Sequence, residues 1–499
     1  MLGRILVKKN DPKVVLVAAF LLACAHNYLF YGNAIGISYP MFTIFFYLYI
    51  VTFMKEQLRF HSAPSWFLFA VIVVLSMTYV LFNNPIFYAL NFLILPILIF
   101  IHITFINSKR KYDWSSIRLI IDTLDHLIPQ ALRHVPTVFR LSRTVTGSKM
   151  NETQKSIITK VLMGLVISIP MLIIVIALLA SADRVFEHFL SELPNWLNQI
   201  SVGESVARLT WILILLLLIF GYLWGFIDTY SYRFNEGMLV EQRIETKFTI
   251  DPIIVSTVLV CLNMVYVLFV VVQFSYLFGA WDGITPQGVT LAEHARSGFI
   301  ELIFVSLINF LVIIVTLNYV RGGNAFLPRF NNMMLTLLVG CSSVMLYSAY
   351  IRLHLYEEAY GYTYIRFLSH GFMIYLVVML VIAGLRIWMK SISLARWYII
   401  ISLIAYVLVN YVGMDRMIAE KNIERYEREG KMDEFYLMEL STDAIPLIIT
   451  FSQEQEGVAM DELLHQEFTQ LTQSDRSWPS LNYSHYRAKK ALEGYFEDH

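Results

Sequence analysis

Pro252-Ile253-Ile254-Val255-Ser256-Thr257-Val258-Leu259-Val260-Cys261-Leu262-Asn263 opens a run that continues to Phe278 without one charged side chain. About 20 mostly apolar residues, wound as a helix, cross the hydrocarbon of a bilayer. The run is long enough and has no charged face to turn toward water, so it reads as a membrane span. Moving outward, similar runs occur at Val14–Tyr31, Ile37–Met54, Pro64–Phe82, Pro85–Ile106, Ile157–Ala182, Val206–Ile227, Gly298–Val320, Asn332–Ile351, Phe367–Ile387 and Trp397–Val412. The chain is therefore expected to be all-α, a polytopic transmembrane helix bundle of about eleven spans. Composition agrees, because 15% of the residues are charged against roughly 25% in soluble proteins. The basic start resembles a signal peptide, but the first run lacks a small-residue cleavage site and reads as an uncleaved helix.

Orientation follows from the Lys and Arg of the short loops, which favour the cytoplasmic side. With the N-terminus inside, the inner segments carry Lys8, Lys9, Lys55, Arg59, Lys109 through Lys160, Arg243, Lys247, Arg386, Lys390 and Arg396. The outer loops carry Arg184, Arg208, Arg296, Arg352 and Arg366. The pair Arg321 and Arg329 ties with its outer neighbours; every other inner loop exceeds them.

The chain divides into a four-span region over residues 1–106, a basic loop over 107–156, a seven-span region over 157–413 and a tail over 414–499. The loop is too long to be a plain connector. Trp114–Leu124 and Ile128–Leu141 read as amphipathic helices, and Arg118, Arg133, Arg140 and Arg143 could meet anionic lipid headgroups, although ordinary positive-inside anchoring explains them as well. Residues 183–199 read as an outer interfacial helix and 228–251 as a solvated loop of mixed charge. The tail holds nine Lys and Arg against eighteen Asp and Glu, and an odd span count places this acidic module outside. Its helices are expected at Arg416–Arg428, Met432–Leu440, Asp443–Phe451, Met460–Leu471 and Ser484–Tyr495, with Thr442 or Asp443 as a cap.

No Gly-rich phosphate loop is present, and Cys24, Cys261 and Cys341 lack metal-ligand spacing. No cofactor, metal or catalytic constellation is expected, and basic residues do not interleave with aromatics as nucleic-acid binding requires. The candidate site is a polar cluster at the outer lip: Glu293, Arg296, Glu301, Arg352, Glu357, Glu358, Arg366 and His370. Ionisable groups there are costly unless paired or wetted. Glu293 and Arg296 share a helix face, as do Arg366 and His370, while Glu301 lies about 140° round from Arg296. One reading is a substrate or proton-coupling site. The preferred reading is a clamp holding spans eight to ten together. Intramembrane His26, Asn27, Asn91, Asn263, Gln273, Asn309, Asn318 and Asn410 are expected to bond neighbouring helices.

Several strings resemble a bacterial family of multi-spanning membrane proteins known as domain of unknown function 4173, with a sister family, 4153. They are Ala295-Arg296-Ser297-Gly298-Phe299-Ile300-Glu301-Leu302; Tyr356 with Ala359-Tyr360-Gly361-Tyr362-Thr363 and Arg366; Asn422, Arg425 and Tyr426; Tyr436-Leu437 with Leu440-Ser441-Thr442-Asp443-Ala444-Ile445-Pro446; and Trp478 with Asn482. The resemblance covers the C-terminal half and implies a bacterial plasma-membrane protein, but no activity. Three classes remain. The favoured one is an envelope sensor, scaffold or assembly partner, engaging another protein through the 414–499 tail. The alternatives are a small-molecule or ion transporter and a membrane-embedded transferase on a lipid-linked substrate.

Overall fold

The computed structural model describes residues 11–59, 62–107, 113–138, 203–228, 250–280, 299–320, 326–454, 458–473 and 476–497, plus a few single positions between 141 and 186. Among them every named element is a helix, and nine helices are long and apolar enough to cross a membrane. These confirm a polytopic helical bundle. A tenth apolar helix, Ser38–Met54, is slightly shorter. The expected span at Ile157–Ala182 and the helix at 183–199 lie outside the described residues, apart from isolated positions.

The described residues form two compact units, Met1–Val80 with Leu90–Phe234 and Asp475–Asn482, and Leu81–Ala89 with Asn235–Ser474 and Tyr483–His499. The first holds α1 (Pro12–Phe30), α2 (Ser38–Met54), α3 (Ala63–Leu81), most of α4 (Pro85–Ile106), α5 (Ile117–Asp125) and α6 (Gly203–Ile227). Buried His102 pins three of these together: Nδ1 lies 2.8 Å from the Tyr47 hydroxyl and Nε2 3.1 Å from Ser65 Oγ. The Asn91 amide donates to Thr78 Oγ1 at 2.9 Å. The tail segment enters this unit through Trp478 Nε1, which donates to the Tyr28 hydroxyl, and Asn482 Nδ2, which donates to the Tyr79 carbonyl, both at 2.9 Å.

α5 starts at Ser116, whose hydroxyl accepts from the Arg118 N–H, and buries Leu119 and Thr123. The expected second helix of this loop begins instead as a single π-helical stretch, His126–Gln130, followed by Ala131–Arg133. It lies on α6 where Gly221 and Gly225, four apart, present bare backbone. A Cβ on Gly221 would sit 3.0 Å from the Ala131 carbonyl carbon, so only glycine permits the approach. Ile117, Ile120, Ile121, Leu124 and Ile128 stay exposed, Ile121 by 59%.

The second unit holds α7 (Pro252–Ala280), α8 (Phe299–Tyr319), α9 (Phe326–Tyr360), α10 (Tyr364–Trp388) and α11 (Leu394–Tyr411). Leu259, Ile313, Leu338, Met345, Leu353, Met373 and Leu380 form its buried membrane core. As expected of intramembrane amides, Asn263 donates to the Met334 carbonyl and Asn309 to Ser342 Oγ, each at 2.9 Å. Asn318 and Asn410 instead bond one turn back in their own helices. At 35 residues, α9 is about 52 Å long, well beyond the roughly 30 Å of hydrocarbon.

The tail supplies α12 (Met414–Glu429), α13 (Glu434–Met438), α14 (Ile445–Glu454), α15 (Val458–Gln473) and α16 (Tyr483–Glu497). Ile418, Leu437, Ala444, Ile448, Leu464, Ala488 and Leu492 make their common core, which also takes in Phe87 at the start of α4. Most of the tail thus shares a core with a membrane helix of its own unit.

Candidate functional site

The turn between α9 and α10 organises the polar groups of the second unit. Gly361 ends α9 with φ +84°, in the left-handed region that only glycine enters freely. A Cβ there would also meet Asn422 Oδ1 at 2.9 Å. The Asn422 amide brackets the next residue, accepting from the Tyr362 N–H and donating to its carbonyl, both at 2.9 Å. Arg425, one turn on in α12, donates from Nε to the Glu358 carbonyl and from Nη2 to the Ala359 carbonyl at 2.8 Å each. These are carbonyls of the last turn of α9, which have no partner inside their helix and sit at its negative end. The Arg366 guanidinium donates to the Gly361 carbonyl and lies 4.2 Å over the Tyr356 ring.

Asp415, 1% exposed in the first turn of α12, gathers three segments. It accepts from Asn84 Nδ2 at 2.7 Å, from the Ser441 N–H at 2.9 Å and from the Tyr364 hydroxyl. Asn84 also caps α4, its Oδ1 accepting from the Ile86 and Phe87 N–H groups. Asp443, expected as a helix cap, instead accepts from the Asn83 N–H and Ser441 Oγ. Burial first, and the nearby Asp415 charge, push its carboxyl above the usual carboxylate range.

The sequence cluster is dispersed differently from its spacing. Glu293 and Arg296 lie outside the described residues. Glu301 is exposed in the first turn of α8, and Arg352 is half-buried on α9. Glu358 pairs with His354 at 3.6 Å near the surface. Glu357 is 1% exposed, and its Oε2 faces His370 Nδ1 at 3.2 Å. Arg366, placed by the sequence on one face with His370, is committed to the turn. The cluster read from the sequence does not include Asp415, Asn84 or Tyr364. One signal was available: an acid three residues after the expected end of the last span, at Val412, and two behind Gly413.

No cluster of His, Cys, Asp or Glu suited to a metal occurs among the described residues. Three of the five strings that carry the family resemblance meet here, with Gly361, Tyr362, Arg366, Asn422, Arg425, Tyr436 and Ser441 in one network, whereas Trp478 and Asn482 lie in the first unit. The chain matches the family model described as Domain of unknown function (DUF4153) over residues 69–451. The match starts inside α3, earlier than the resemblance reached, and stops before Trp478 and Asn482. No curated protein and no solved structure matches. Spanning most of the chain and every hydrogen bond of this network, that match makes the protein a member of the DUF4153 family.

Proposed function

We propose that the chain is an envelope sensor or assembly scaffold of the bacterial plasma membrane, with its N-terminus cytoplasmic and its tail outside. The observation that carries this reading is the spending of Asp415, Asn422 and Arg425 on holding the tail to the membrane helices of its unit. Every group in that network is committed to another protein group, which suits transmission of position better than turnover of a substrate. The Lys and Arg bias supports the orientation.

Contacts within each unit support the count of eleven. Asn84 and Asp415 touch, so an even number of crossings separates them, and the described helices α4 and α6 to α11 supply seven. The Arg208 guanidinium lies 4.7 Å over the Tyr31 ring, with α2, α3 and α4 as the described crossings between. Both parities become even with one further crossing between α4 and α6, where the count has its fifth span.

A photo-crosslinking residue at exposed Phe435 or Tyr486 of the tail is expected to trap one discrete protein, and Arg425→Ala, by loosening the tail, to reduce that product. Absence of any protein adduct, together with a retained small molecule, would favour the transporter reading. Reporter fusions after Gly430 are expected to be active outside; cytoplasmic activity there would overturn the threading.

The same proposal seats α5 on the inner leaflet, its isoleucine stripe in the acyl boundary and its basic neighbours at anionic headgroups. A benzophenone side chain at Ile121 is expected to label lipid, more so with anionic lipid, and one at Leu119 to label protein. Equal lipid labelling at both positions would refute this placement.

A further inference from the structure

We propose that Glu357 and His370 form a binding site for a single proton inside the second unit, and that its occupancy is read at the turn held by α12. The argument begins with the imidazole. His370 Nε2 lies 3.4 Å from the Tyr350 carbonyl oxygen, an atom that can only accept, so this nitrogen carries the hydrogen. In the neutral ring Nδ1 then presents a lone pair. Nδ1 lies 3.2 Å from Glu357 Oε2, and a carboxylate oxygen is also an acceptor. Among the described residues neither Glu357 oxygen has a hydrogen-bond partner, although both are buried. Two acceptors at hydrogen-bonding distance with no hydrogen between them leave a gap that one proton fills. On loading, a proton leaves water, bonds to Oε2 beside the Nδ1 lone pair, and changes the charge of the pair from −1 to zero.

Stacking on Tyr350, with ring centroids 4.4 Å apart, holds the imidazole in this pose. Among the described residues no neighbouring charge hydrogen-bonds the carboxylate, although the Arg366 charge acts on it through space. Arg366 on α10 is bound to Gly361 and Tyr356. Arg425 on α12 is bound to the Glu358 and Ala359 carbonyls. On α9 itself His354 pairs with Glu358, and Arg352 is half-buried. α8 offers Glu301 in its exposed first turn and Tyr319 at its far end, and the described side chains of α7 include only Cys261 and Tyr266 as titratable groups. Two ligand atoms are too few for a metal ion, which takes four or more.

Occupancy reaches the turn directly, because the Glu357 carbonyl accepts from the Gly361 N–H at 2.7 Å, beside the residues that Asn422 and Arg425 grip. This read-out half rests on the sensor reading; the binding half does not.

The test is infrared difference spectroscopy of the full chain in lipid nanodiscs as pH is lowered. A protonated-carboxyl C=O band is expected to rise in the parent and to vanish in Glu357→Gln. In His370→Asn its midpoint is expected to move by about one pH unit or more, tenfold in proton affinity. A band unchanged in Glu357→Gln, or a midpoint unmoved in His370→Asn, overturns the site. Should Glu357→Gln fail to fold, Glu357→Asp draws the carboxyl back from Nδ1, and its midpoint must move. For the read-out, hydrogen exchange of residues 414–429 at one neutral pH is expected to differ at least twofold between Glu357→Gln and the parent. Equal exchange overturns the coupling, while loss of the partner crosslink with an intact band overturns only the sensor reading.

Discussion

Asp415→Ala is expected to produce the largest loss of stability of any single substitution in the tail. It strips the acceptor from the Asn84 amide, the Tyr364 hydroxyl and the Ser441 N–H at once. Each buried donor left without a partner costs about 1–3 kcal/mol, so the sum is about 4 kcal/mol, a large share of an ordinary folding free energy. Asp415→Asn keeps one acceptor oxygen and should lose about half as much. Because Asn84 and Asp415 share a bond, the double change Asn84→Ala with Asp415→Ala should cost less than the two separately. The measurement is the melting temperature of the full chain in detergent beside its abundance in membranes. A parent-like melting temperature for Asp415→Ala would show that the three segments are held by other contacts.

Arg425→Ala comes second. It removes the donors that cap the last turn of α9 and leaves the Glu358 and Ala359 carbonyls at a helix end with no guanidinium. Hydrogen bonds to a charged group contribute about 1.5–3 kcal/mol each, and the expected loss is about 3 kcal/mol. Arg425→Lys should recover less than half, because an ammonium cannot reach both carbonyls with the planar fork. Limited proteolysis gives a second readout, with cleavage near Gly430 expected to accelerate in Arg425→Ala. If Lys replaces Arg with no loss, the geometry of the fork is not what holds the turn.

The spans were legible because a bilayer imposes a length and a polarity on contiguous residues, which a sequence displays directly. Pro252–Phe278 and Pro85–Ile106 were recovered nearly to the residue. The tail helices were also legible from their apolar spacing. α9 was read too short, at Asn332–Ile351, because its apolar run stops there. The helix continues because Asn331 accepts from Ser256 Oγ at 2.6 Å at one end and Arg425 caps it at the other. The bonds of Asp415 were invisible, since its partner Asn84 is 331 positions away and no local periodicity encodes such a pair. Glu357 was named from its type and place, yet its relation to His370 could be drawn only from the fold. The helix expected at Trp114–Leu124 occurs as α5, Ile117–Asp125, started by the Ser116 hydroxyl. The π-helical stretch after it was not legible, because it answers to the bare backbone of Gly221 and Gly225.

The distance in sequence between Asn84 and Asp415 also fixes an order in time. At roughly 5–20 residues per second, the loop before α4 leaves the ribosome about 15–70 s before its carboxylate partner exists. Ser477 and Asn33, bonded across 444 positions, wait longer still. Through that interval nascent chains carry the Asn84 amide without its final acceptor. Translation through Asp415, rather than insertion of any early span, is therefore the event that lets this bond close.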